Sequence, residues 1–87
     1  MSFEMLWRED PGHAWLQVPL AEVKRSKAKI SVYSYKKGDL AFLEEDSDAF
    51  AFLKAISPDD AQAIELSRAV PRVYEENTPI RGYRSYR

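Results

Sequence analysis

The sequence predicts an α+β fold: a small single domain over residues 1–87, in which an antiparallel sheet of four or five strands packs against one or two helices in the order ββαββαβ. Three observations lead to this prediction. The 87 residues suffice for one domain with a modest core, and 45% of them are hydrophobic. Short alternating or β-branched segments, separated by turns containing glycine or proline, predict strands. One central segment has the apolar spacing of an amphipathic helix.

The N-terminal part of the chain predicts a hairpin followed by a helix. The segment SFEMLWRE alternates as a strand does, with Phe3, Met5 and Trp7 on one face. Residues 10–13, DPGH, have turn chemistry, because proline presets φ, glycine accepts positive φ and the aspartate side chain can bond the turn backbone. AWLQV then returns as a second strand, and Pro19 suits the first turn of a short helix, PLAEVKRS.

The segments KISVYSY and LAFLE predict a second hairpin around Gly38, which is the expected left-handed residue of the turn. A register with Tyr35 opposite Leu40 gives this hairpin two apolar faces. The residues of the first face are Tyr33, Tyr35, Leu40 and Phe42, and those of the second are Ile30, Val32, Ala41 and Leu43. Both faces need cover, so we expect a helix on one of them and the C-terminal tail or a partner on the other.

The segment DSDAFAFLKAIS predicts a helix. Asp46 or Ser47 is expected to cap it, because helix N-terminal amides need acceptors. Asp48 is expected in the first turn, where a negative charge is favourable. Pro58 ends the helix.

Residues 57–70 fit either a helix or a strand. The acids and alanines favour a helix, whereas the alternation of Ile64 and Leu66 favours a strand at about 63–69, which is the preferred interpretation. Residues 72–87 predict an extended C-terminal tail packed on or near the sheet.

Charge is segregated along the chain. Residues 44–66 hold seven acids and one base, for a charge of −6, whereas residues 1–43 carry +2 and residues 67–87 carry +3. A calcium loop beginning at Asp46 is excluded, because its sixth residue would be Ala51 instead of glycine. A surface for a basic partner stays open, with ordinary solvated charge as the alternative. Its candidate residues are Glu44, Glu45, Asp46, Asp48, Asp59 and Asp60.

The sequence shows little that could support catalysis. His13 and Asp10 could form a base–acid pair, but no nucleophile completes the set, and a turn residue that flanks Trp15 is the simpler interpretation of His13. The chain has one histidine and no cysteine, and its three glycines form no phosphate loop. We therefore expect no enzyme activity, no metal site and no cofactor.

The C-terminal arginines and tyrosines give an alternative function, nucleic-acid binding, because arginines hold phosphates and tyrosines stack on bases. The residues are Arg81, Tyr83, Arg84, Tyr86 and Arg87. In the competing interpretation Tyr83 and Tyr86 cover the second face of the sheet while the arginines pair with the acidic segment. That interpretation is preferred, because the sheet needs cover.

The N-terminus MSFEMLWRED lacks the features of a signal peptide, and no apolar stretch approaches the length of a membrane helix. These observations predict a soluble, cytoplasmic protein.

Three segments, DPGHAWLQVP, ISVYSYKKGDLAFLEEDSD and IRGYRSYR, together resemble a family of small proteins from bacterial and phage genomes. The family pattern reads DPGHGWL, SxYSY, a glycine turn, LEEDCD and a C-terminal run of arginines and tyrosines. The chain departs from it at Ala14, where glycine is expected, at Ser47, where cysteine is expected, and over residues 57–78.

The resemblance implies an accessory gene of mobile elements, acting in a bacterial host, and similarity to anti-CRISPR proteins directed at type I surveillance complexes, type I-C among them. Such complexes hold DNA phosphates in lysine-rich grooves, which an acidic surface could occupy. The expectation is a non-enzymatic inhibitor that binds a protein complex and blocks its target DNA, itself a monomer or a weak homodimer, without a small-molecule substrate.

Overall fold

A computed structural model describes residues 3–86 and confirms the α+β class. In these residues three helices pack against one six-stranded mixed sheet. The strands are β1 (Leu6–Glu9), β2 (Ala14–Pro19), β3 (Tyr35–Lys37), β4 (Leu40–Glu44), β5 (Arg72–Tyr74) and β6 (Arg84–Ser85). The helices are α1 (Leu20–Ser26), α2 (Asp48–Ala55) and α3 (Asp60–Ala69), with a 3₁₀ turn at Pro79–Gly82. The order of strands across the sheet is β5-β1-β2-β4-β3-β6.

Both predicted hairpins form, but the second has a different register. Tyr35 pairs with Phe42 and Lys37 with Leu40, so the predicted pairing of Tyr35 with Leu40 is wrong by two residues. A shift of two residues keeps every side chain on its face, which is why the apolar pattern could not detect the error. Gly38 takes a φ of 60° in the turn, as predicted.

The helix-covered face of the sheet carries the larger core. Leu16, Leu43 and Phe52 are fully buried there, and the residues packed around them come from β1, β2, β4 and all three helices. The opposite face carries a smaller cluster of Trp15, Phe42 and Ile80. The two clusters confirm that both faces of the sheet needed cover.

The C-terminal tail supplies that second cover by joining the sheet. Ile80, in the 3₁₀ turn, is fully buried over the second face. Residues 72–86 also provide both edge strands: β5 pairs parallel with β1, and β6 pairs antiparallel with β3. The sheet is therefore mixed, and the prediction of four or five antiparallel strands is wrong in number and in the direction of β5. The extra strands are two or three residues long, too short for a pattern to register.

Residues 60–69 form α3, so the strand predicted at about 63–69 is wrong. Asp59 caps the helix, accepting a backbone N–H from its first turn at 2.9 Å. Leu66 is half-buried, whereas the Ile64 side chain is 43% exposed. The alternation of Ile64 and Leu66 that suggested a strand therefore consists of one residue that faces solvent and one that faces the core.

Asp48 organises the residues that precede β3. Its carboxylate is 4% exposed and accepts hydrogen bonds from the Ser31 amide at 3.1 Å, the Ser31 hydroxyl at 2.6 Å and the Ser34 hydroxyl at 2.5 Å. The predicted strand KISVYSY is consequently shortened, since only its last residue, Tyr35, lies in β3. Residues 31–34 instead turn so that their polar groups reach Asp48. Neither Asp46 nor Ser47 caps α2: Ser47 occupies the N-cap position without a side-chain hydrogen bond.

Ser34 extends this network to two other elements. Its hydroxyl accepts the Glu44 amide at 2.8 Å, and its carbonyl accepts the Tyr86 amide at 2.8 Å. The end of β4 and the residue after β6 are thereby fixed to the same loop as the start of α2.

Replacement of Asp48 by alanine is expected to lower the free energy of unfolding by about 2–4 kcal/mol, because buried donors lose their acceptor. Asp46→Ala, two positions earlier and exposed, is the matched control and should change it by less than about 0.5 kcal/mol. Urea unfolding followed by circular dichroism measures both. Equal effects of the two substitutions would contradict a stabilising role for Asp48.

Candidate protein-binding surface

The turn of residues 10–13 is shaped by Asp10. Its Oδ1 accepts the Gly12 amide at 3.0 Å and the His13 amide at 2.8 Å, while the Asp10 amide donates to the His13 carbonyl at 2.9 Å. The Asp10 side chain bonds the turn backbone as the sequence predicted, but Gly12 does not take the positive φ expected of it. The turn joins β1 to β2 and gives that end of the sheet a fixed backbone.

Arg81 fastens the tail to this turn. Its Nε lies 3.1 Å and its Nη2 3.2 Å from the Asp10 carboxylate, and Nη2 lies 2.7 Å from Nδ1 of His13. The guanidinium also lies 5.7 Å from the Trp15 ring centroid, and the imidazole stacks on the same ring at 5.6 Å. A Cβ at Gly12 would come within 3.3 Å of the guanidinium, so glycine leaves room for the contact.

These contacts bear on the base–acid pair considered for His13 and Asp10. Arginine can only donate, so Nδ1 of His13 is assigned as the acceptor and the neutral ring carries its proton on Nε2. The Asp10 carboxylate is engaged by Arg81 and the turn backbone. The hydrogen bonds from Arg81 hold the pKa of Asp10 below its ordinary value, and Asp10 raises the pKa of Arg81 in return. Asp10 and His13 therefore have the contacts of residues that hold the C-terminal tail against the turn.

The acidic turn, which we define as Glu44, Glu45 and Asp46, lies beside residues 10–13. The Glu45 amide donates to the carbonyl of Ala14 at 3.1 Å, which holds the acidic turn against the start of β2. A depression of about 140 Å³ separates residues 12–14 from the acidic turn. A wider depression of about 590 Å³ is lined by residues 9–14, Glu45 and Tyr74.

The charges around this surface are predominantly negative. Glu9 is paired with Arg72, and Asp10 is paired with Arg81. Within residues 3–86, by contrast, no salt bridge involves Glu45 or Asp46, and both are exposed. The acidic turn therefore presents uncompensated carboxylates on a backbone that is fixed on two sides.

The structure divides the six acids that the sequence analysis grouped together. Asp48 is buried, so its assignment to a partner-binding surface is wrong. Asp59 caps α3, and Asp60 lies 3.7 Å from Lys54. These two follow the far end of α2, whose eight residues span about 12 Å. The acidic turn, at the near end of α2, is therefore separate from Asp59 and Asp60.

The residues considered for nucleic-acid binding have mostly internal partners. Arg81 is held by Asp10, and Tyr83 packs on Phe42 at 5.1 Å between ring centroids. Tyr86 packs against the helix-covered core instead of the second face predicted for it, because residues three apart in an extended segment, such as Tyr83 and Tyr86, point to opposite faces. Burial raises the pKa of Tyr86. Arg84 is exposed. Arg87 lies outside the described residues.

Sequence reasoning did not identify Glu9 and Tyr74 as parts of this surface. They meet because β5 pairs in parallel with β1, with Glu9 opposite Tyr74 in the register. No local pattern signals a pairing between residues so far apart in the chain.

Comparison with protein-family models, with curated proteins and with solved structures gave no match. Within residues 3–86 no cluster of three or more histidine, aspartate or glutamate side chains is arranged to hold a metal ion. In the same part of the chain, no helix has both the length and the apolar character needed to cross a membrane.

The lowered pKa of Asp10 predicts how its contribution to stability depends on pH. The charged form is favoured in the folded state, so the contribution is present above the unfolded pKa of about 3.9 and is lost as pH falls through the folded value. Asp10→Asn should therefore melt below the wild type at neutral pH, and the difference should narrow below about pH 4. Thermal melts of both proteins across this range test the prediction, and a constant difference would contradict it.

Proposed function

We propose that this protein is a non-enzymatic inhibitor that binds a nucleic-acid-handling protein complex through its acidic turn and blocks access of the nucleic acid. The observation that supports the proposal most strongly is the pair of exposed, uncompensated carboxylates of Glu45 and Asp46 on a turn fixed to β2. A rigid group of like charges at the border of a depression favours a partner of opposite charge.

Lysine-rich grooves that bind phosphates are surfaces of that kind. A carboxylate group that enters such a groove meets the cations that otherwise hold the nucleic-acid backbone, so the two ligands compete. Long-range attraction also accelerates encounter, and it weakens as salt is added. Competition by an acidic turn requires no catalytic group.

The resemblance described above narrows the proposed partner. It implies a mobile-element protein similar to anti-CRISPR proteins, so the partner proposed is a type I surveillance complex, with type I-C as the subtype to test, and the blocked ligand is its target DNA. The inhibitor would act as a monomer or a weak homodimer in the cytoplasm of a bacterial host.

A gel shift tests this proposal directly. A type I-C surveillance complex with its guide RNA and labelled target DNA is run with and without the protein, next to a lane that contains only the protein and DNA. Loss of the complex–DNA band with free DNA unshifted is the expected result. A salt-sensitive shift in the protein–DNA lane would instead favour the nucleic-acid-binding alternative, with Arg84 as the first residue to replace.

Charge reversal of the acidic turn should weaken binding mainly through the association rate. Glu45→Lys/Asp46→Lys is expected to reduce that rate about 10- to 100-fold at low salt and to flatten its salt dependence. Both side chains are exposed, so the fold should persist.

Asp60→Lys/Glu65→Lys is the matched control for this variant, because it makes the same charge change at two exposed positions of α3. Biolayer interferometry against the surveillance complex, at several salt concentrations, measures both variants. Equal losses from the two variants would indicate a net-charge effect and would remove the support for the acidic turn.

A further inference from the structure

Two adjacent apolar side chains, Val32 and Tyr33, project from the turn that precedes β3. Val32 is 56% exposed, and Tyr33, at 71%, is the most exposed large hydrophobic residue among those described. Single exposed apolar residues are common and need no explanation. Two neighbours at the tip of one turn form a small apolar surface, which we name the Val32–Tyr33 tip.

The backbone of this tip is held in place from both sides. The Tyr33 amide donates to the Ser31 hydroxyl at 3.2 Å, and the same hydroxyl donates to Asp48. The Val32 carbonyl accepts the Ser85 hydroxyl at 2.6 Å. These two hydrogen bonds fix the Tyr33 amide and the Val32 carbonyl, so little backbone order has to be gained when the side chains are buried by a partner.

Packing within the protein does not explain why the side chains of Val32 and Tyr33 are exposed. The sequence pattern placed Tyr33 on the sheet face with Tyr35 and Phe42, but the turn to Asp48 takes it off that face. The cluster of Trp15, Phe42 and Ile80 is closed by Tyr35, Leu40 and Tyr83 without it. The fold therefore directs a tyrosine and a valine to solvent, and neither of them belongs to a core cluster.

The tip lies next to the acidic turn. The Ser34 hydroxyl accepts the Glu44 amide at 2.8 Å, so the residues that follow the tip touch the residues that begin the acidic turn. With 3.8 Å between consecutive Cα atoms, the Cα atoms of Tyr33 and Glu45 are separated by about 14 Å at most. Both features are accordingly within the footprint of one ordinary protein interface.

We propose that the Val32–Tyr33 tip is the apolar anchor of the interface whose charged border is the acidic turn. The inference rests on the proposed function and specifies the chemistry of the partner: an apolar socket that takes a tyrosine ring, bordered on one side by lysine or arginine. This matches the general arrangement of protein interfaces, in which a buried aromatic anchor provides most of the affinity and charges at the border direct encounter.

The anchor and the acidic turn should consequently affect different rate constants. Tyr33→Ala is expected to weaken binding to the type I-C surveillance complex at least about 30-fold, mainly through faster dissociation. Tyr33→Phe should stay within about threefold of the wild type, because it keeps the ring. Ile64→Ala, which removes an exposed apolar side chain from α3, is the control that should bind as the wild type does, and thermal melts establish that each variant is folded.

Interferometry of these variants beside Glu45→Lys/Asp46→Lys separates the two proposals. Faster dissociation of Tyr33→Ala together with slower association of the charge-reversed variant supports both. If the wild type binds and Tyr33→Ala binds equally well, the anchor is overturned while the acidic turn stands. If the wild type does not bind the complex at all, the proposed function fails and the anchor fails with it.

Discussion

The end of the sheet that carries the candidate surface depends on one buried carboxylate, that of Asp48. A carboxylate that is removed from water needs donors around it, and the chain supplies them from Ser31 and Ser34. The need for these donors outweighs the β propensity of residues 31–34, which form a turn instead of a strand and so reach Asp48. Through Ser34 the same requirement fixes the end of β4 and the residue after β6, so one acid aligns four segments of the chain.

A second polar network connects the turn of residues 10–13 to the C-terminal tail. Arg81 bonds Asp10 and His13 and covers the ring of Trp15, while Ile80 beside it is buried over the second face. The two networks together contain Asp10 and His13 of DPGH, Ser31 and Ser34 of SVYS, and Arg81 of RGYR. These polar residues therefore have structural partners, and the side chains that the two networks leave exposed are the candidates for binding.

Those side chains share a physical property: they are exposed although their backbone is fixed. The acidic turn is held against Ala14, and the Val32–Tyr33 tip is held by Ser31 and Ser85. Fixing a loop before binding reduces the entropy lost on association, which matters in a small domain with little surface to bury. In the proposed interface, the charge of the acidic turn would speed the encounter with the partner. The aromatic ring of the Val32–Tyr33 tip would provide most of the affinity.

The sequence by itself determined the α+β class, the two hairpins, the left-handed Gly38, helix α2 and the need to cover both faces of the sheet, because these follow from local periodicity and turn chemistry. It also located the acidic turn. Only the tertiary structure decided that Asp48 is buried, that α3 is a helix and that the tail forms both edge strands. Each of these depends on a partner distant in sequence, such as Ser31 for Asp48 or β1 for β5. A local pattern records the character of a side chain, whereas its burial is set by the elements that pack against it.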